Sequence, residues 1–160
     1  TDAKTALDAA FKPLGYVSED GLTNSNSPSS DSIKAWGGDT VATVQTEKED
    51  TFSYTLIEAL NINVLKEVYG DDNVTGTLET GITVKANSKE LLEHPVVIDM
   101  TLRDGVFKRI VIPYGKVSEL GDISYTDSDA VGFELTLSAL PDTTGNTHYD
   151  YTIDPNGTPS

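Results

Sequence analysis

The 160-residue sequence has no cysteine, which removes disulfide frameworks, thiolate zinc sites and cysteine nucleophiles together. Basic residues are scarce as well. Eleven Lys and Arg stand against 26 Asp and Glu, a net charge of −15 with an isoelectric point near 4.2. A surface that grips phosphates by releasing counterions is excluded, and ordinary nucleic-acid binding with it. No apolar run approaches the roughly 20 residues of a membrane helix, and no signal-type segment follows Thr1 to Lys4. The chain reads as soluble.

What the sequence has in abundance is β-branched side chains. Thirteen Val, 9 Ile and 20 Thr make 42 of 160 residues, and these stiff groups fit a pleated surface better than a helix. The length suits a single domain over residues 1–160. Hydrophobic content of 37 % in strand-length runs argues for a folded body, with looseness confined to an N-terminal arm 1–13, a mobile loop 23–32 and a polar tail 141–160.

Along the chain, Ala3, Ala6, Leu7, Ala10 and Phe11 fall at helical spacing before Pro13 and Gly15, which predicts a short helix or terminal arm over 3–12. Thr40 to Glu47 and Thr51 to Glu58 read as two strands of a long hairpin with a charged tip at Lys48, Glu49 and Asp50. In its second strand Phe52, Tyr54 and Leu56 share one face. The period then changes: Leu60, Val64, Leu65 and Val68 predict a helix over about 61–69, capped by Asn61 or Asn63 and closed by Gly70. One or two strands follow between Val74 and Ala86, then a short helix or turn over Asn87 to His94.

Asp104-Gly105 predicts a two-residue turn in a hairpin from Val96 to Pro113, pairing Leu102 with Phe107, Met100 with Arg109, Ile98 with Val111 and Val97 with Ile112. The base of that ribbon is apolar on both sides, so one face must meet something beyond the local core. A last strand runs from Val131 to Leu140, where Phe133, Leu135 and Leu137 alternate with polar residues. Strand pairs around one helix, with no repeated βα unit, predict a mainly β fold, an antiparallel sandwich or barrel with one flanking helix.

Catalytic patterns do not emerge. His94 and His148 lie far apart among polar or turn residues and read as solvated. No serine elbow, phosphate loop or dinucleotide fingerprint occurs, so no nucleophile and no cofactor site is assigned. Asp122, Asp127 and Asp129 lack the glycine and distal glutamate of a calcium loop, and no metal site is assigned either. The sequons at Asn73 and Asn156 match by chance often enough to carry no weight. Trp36, the lone tryptophan, reads as a core or interface anchor.

Residues 35–70, AWGGDTVATVQTEKEDTFSYTLIEALNINVLKEVYG, resemble the major tail tube protein of long-tailed, siphovirus-type bacteriophages, a fold shared with type VI secretion tube proteins. The likeness extends more loosely to about Leu140 and contains no catalytic motif. It implies a virion protein assembled as stacked hexameric rings whose sheets join into an inner barrel. That barrel houses the tape measure protein and conducts double-stranded DNA on ejection without binding it, with tail terminator and distal tail proteins at its ends. Under this resemblance the tip Thr46, Glu47, Lys48, Glu49, Asp50 and Thr51 and the loop Thr23 to Ser32 become ring-stacking contacts. The ribbon residues Val97, Ile98, Ile110, Val111 and Ile112 become an inter-subunit barrel wall. The alternative is a monomeric extracellular β-sandwich binding module, an adhesin or carbohydrate-binding domain using Trp36 or the tyrosines.

Overall fold

The computed structural model of the chain describes residues 2–123 and 132–155. It is mainly β. Two long strands, β1 (Val17–Lys34) and β2 (Thr40–Leu56), precede the helix α1 (Ile62–Tyr69) and a small ribbon of β3 (Val74–Thr77) and β4 (Gly81–Val84). Then come β5 (His94–Thr101), β6 (Phe107–Leu120), β7 (Phe133–Leu140) and β8 (Tyr149–Ile153). The large sheet is antiparallel in the order β1-β2-β7-β6-β5, with β8 beside the first half of β6, and it curls into a half-barrel.

One face of this sheet is the core. Phe52 and Leu56 of β2, Ile110 and Ile112 of β6, and Phe133, Leu135 and Leu137 of β7 are buried there, against Val64 and Val68 of α1. The alternation predicted for β2 and β7 therefore holds residue by residue. The helix is also where its signals placed it: the Asn61 side chain accepts from the Asn63 amide, and Gly70, at φ 93°, donates to the Lys66 carbonyl as the chain leaves. A positive φ at that point favours glycine.

Some expectations fail and one is narrowed. Residues 23–32 are not a loop but the middle of β1, paired with β2 from Thr43 to Ser53. Lys48 to Asp50 form no turn, because β2 runs unbroken through them; the hairpin closes at Ala35–Asp39, where the Ala35 amide donates to the Asp39 carbonyl at 2.7 Å. Of the short helix and the terminal arm expected as alternatives for residues 3–12, the helix does not form. Asp2 and Asp8 accept amides two and three residues onward, Lys4, Thr5 and Ala10, and these local turns replace helical bonds. The tail after Pro141 contains β8, whose Tyr149, Tyr151 and Ile153 alternate along β6.

The β5–β6 turn is one residue longer than the Asp104-Gly105 pattern predicted. Leu102 donates to the Val106 carbonyl, Asp104 and Gly105 both take positive φ, and the register becomes Ile98 with Ile110, Asp99 with Arg109 and Thr101 with Phe107. A slip of one residue changes every cross-strand partner. Asn87 to His94 forms no helix; Asn87 accepts the Lys89 amide, and the chain enters β5 at His94. Of the calcium and sequon residues, Asp127, Asp129 and Asn156 lie outside the described residues, as does Val131. The Asn73 amide is committed within the fold, donating to the Tyr69 carbonyl at 2.7 Å.

Candidate assembly surfaces

The first surface is the distal part of the β1–β2 hairpin. β7 accompanies β2 from Thr51 to Leu56; from Asp50 to Thr40 the described partner of β2 is β1. At about 3.3 Å per residue the ribbon projects roughly 35 Å beyond the body. Its described side chains from Thr23 to Glu49 are exposed on both faces. A lone two-stranded ribbon is marginal in water, so one of this length fits a chain that finds further partners. Trp36 sits at its tip, 107 % exposed, with Ile33 and Val41 also exposed nearby. The tryptophan is thus no part of this subunit's core, because the hairpin turn carries it away from the body. The expected stacking residues Lys48 and Glu49 lie in the arm's wall rather than at a tip, Asp50 is buried at its foot, Thr51 belongs to the body beside Ser138 of β7, and the side chains of Thr46 and Glu47 lie outside the described part.

The second surface is the sheet face turned away from the helix. Cross-strand rows place Thr23, Ser53, Thr136 and Glu119 side by side, then Ser25, Thr51, Ser138 and Lys116. Thr55 and Glu134 extend the same face. Ser53 and Thr136 share a hydroxyl hydrogen bond at 3.1 Å. This face is lined by hydroxyls with two carboxylates, and its one lysine, Lys116, is paired with Glu90. No Lys or Arg follows Lys116 in the sequence, so the last 44 residues, with eight Asp and Glu, carry −8 of the net −15.

The third surface is the β5–β6–β8 ribbon. Ile110 and Ile112 are buried in the subunit's own core and Ile98 packs against it, so these three do not form an outward wall. Val97 and Val111, with Tyr149 opposite Val111, lie half-buried on the other face, as the two-sided apolar base required. Arg109 anchors that side. Its guanidinium holds Asp99 through Nε at 2.6 Å and Nη2 at 2.9 Å, and Nη1 donates to the carbonyls of Asp2 and Thr5. Bidentate geometry of this kind makes the pair strong. The Thr5 and Lys4 donors in turn hold the Asp2 carboxyl down at about 2. The N-terminal segment is pinned again at Pro13, whose carbonyl accepts from Asn61 and Asn63.

Both histidines are engaged by carboxylates, against the solvated reading. His94 Nε2 lies 3.0 Å from Glu67 on α1, and His148 Nδ1 lies 2.6 Å from Asp50. The partners are 27 and 98 positions away in sequence. Asp50 could have been found from β2 alone, since it continues the inward period of Phe52, Tyr54 and Leu56. Glu67 also leaves Oε1 buried without a partner, as does the Tyr54 hydroxyl; burial and the Glu67 charge push that phenol well above its ordinary range.

The Glu67 hydrogen bond raises the His94 pKa. A raised folded-state value means the stabilisation is complete below the unfolded value of about 6.5 and is lost as pH rises through the folded one. Urea midpoints measured from pH 6 to 8.5 should therefore fall with pH, by less than about 1 kcal/mol since the ring is partly exposed. The His94→Gln chain should lose that slope; an unchanged slope would remove His94 as its source.

The described residues contain no group of three His, Asp or Glu able to hold a metal, and no helix long and apolar enough to cross a membrane. Two shallow depressions are lined mostly by polar and aliphatic residues, with Tyr114 the one aromatic among them. A curled sheet whose edge strands β1 and β5 lie open among the described residues, with an arm projecting from it, offers surfaces for further chains. The chain matches the family model of the phage tail tube protein over residues 1–157, and it belongs to that family. It is a structural component of the virion, and a search of curated proteins finds no match for it.

Proposed function

We propose that the chain builds the tail tube of a siphovirus-type phage as stacked hexameric rings, assembled in the host cytoplasm. The observation that carries this reading is the two-sided sheet: one face packs on the helix, and the other, turned away from the described helix, presents a broad hydroxyl-lined surface. Joined edge to edge through β1 and β5, six such sheets close into one barrel, which also removes the exposed edges of each subunit. The polar face then lines the bore. The carboxylates of Glu119 and Glu134 repel phosphate, and the neutral hydroxyls offer a duplex no cationic charge to adhere to, while an acidic exterior serves solubility.

In this arrangement the bore houses the tape measure protein and later conducts DNA, and tail terminator and distal tail proteins close the ends. The arm bridges rings, with residues 23–32 and 46–49 as its walls and Trp36 as the anchor at its tip. Val97 and Val111 take part in the contact between neighbours within a ring. Negative-stain electron microscopy of the purified protein tests the proposal: six-fold rings or tubes are expected, and dispersed particles of about 17 kDa at high concentration would overturn it.

A further inference from the structure

At the foot of the arm one carboxylate is enclosed completely. The Asp50 side chain has no exposed surface, and three segments of the chain converge on it. Asn24 of β1 donates to Oδ1 at 2.8 Å, while Thr147 Oγ1 at 2.5 Å and His148 Nδ1 at 2.6 Å meet Oδ2 from the loop before β8. Asn24 also donates to the Thr51 carbonyl, and the imidazole stands edge-on to Phe52 with centroids 5.2 Å apart. Burial works against the ionised form of Asp50, yet the donors from Thr147, Asn24 and His148 outweigh it and hold its pKa below the usual carboxylate value.

The position of this node matters more than its charge. β7 stops accompanying β2 at Thr51, so Asp50 marks the first residue of the two-stranded ribbon. Above it no described side chain of the arm is buried; below it Phe52, Tyr54 and Leu56 of β2 are core. A buried carboxylate is held firmly only while its donors stay in place, and a ribbon without further strands has little order of its own. Local opening free energies range from near zero to the global value, and a boundary of this kind separates two such units.

We propose that the Asp50 node is a latch: closed, it ties the arm to the loop between β7 and β8 and keeps the ribbon ordered; open, it frees the arm while the body stays folded. The inference concerns the order of the arm and not what the arm touches, so it stands or falls separately from the tube reading.

Hydrogen exchange of the unassembled full-length chain at neutral pH tests it. Asp50→Asn turns one accepting oxygen into a donor facing donors, and amide exchange over 25–49 should rise about tenfold or more while β7 and α1 keep their protection. Thr147→Val, which removes the hydroxyl donor to Oδ2, and Asn24→Ala, which removes the donors to Oδ1 and to the Thr51 carbonyl, should give smaller rises confined to the arm, and they decide the matter if Asp50→Asn does not fold. Unchanged arm exchange in the variants, an arm already unprotected in the parent chain, or an equal rise in β7 and α1 would each overturn the latch.

Discussion

Replacing residues 28–48 by Asn-Gly is expected to abolish tube assembly and leave the body folded. The design follows the register: Ser27 faces Glu49, so a two-residue turn of the type Asn-Gly favours closes the shortened hairpin at a native pair. It retains Asn24 and Asp50, and it removes no residue of the core cluster. The expected loss is therefore one of association. Far-UV circular dichroism and the thermal midpoint should stay near those of the parent, while sedimentation and electron microscopy show no stacked species. Tubes from the shortened chain would place the ring-to-ring contact elsewhere; collapse of the body would show that the arm is part of the folding unit.

Phe52→Ala has its largest expected effect on the fold itself. The ring is fully buried, at the centre of the sheet between its neighbours Asn24 and Leu137, and it supports His148 edge-on. Truncating a buried phenylalanine costs about 3–5 kcal/mol, against a total stability of about 5–15 kcal/mol for a domain. Urea unfolding followed by far-UV circular dichroism should show a midpoint lowered by a third or more. A change below about 1 kcal/mol would mean that the sheet collapses onto the gap and that the core is less tightly packed than its burial implies.

How much of this was legible follows from where one face is buried. The strands Thr51–Leu56 and Phe133–Leu140 and the helix at Ile62 announce themselves because each pairs an apolar face with a polar one. The distal arm does not. With neither side buried, residues 23–32 have no reason to alternate, and a serine-rich strand is written in the same residues as a loop. For the same reason Lys48, Glu49 and Asp50 resembled a turn inside what is one strand of 17 residues. The Asp104-Gly105 pair located the β5–β6 turn, but the dipeptide does not say whether two or three residues close it, and that choice alone brings Asp99 opposite Arg109. The carboxylates beside His94 and His148 come from distant segments, a relation no local pattern carries.

The single tryptophan stands at the tip of the arm and not among the packed rings of the body. In spectroscopic terms this divides the molecule's signals cleanly. Indole emission in the free subunit is expected at the long-wavelength maximum of a fully hydrated ring whether or not the core is folded, and any contact that covers the arm's end is expected to move it to shorter wavelength. An intrinsic fluorophore so placed should be blind to folding and respond to association at the arm's end, so that polymerisation kinetics could be followed without a label.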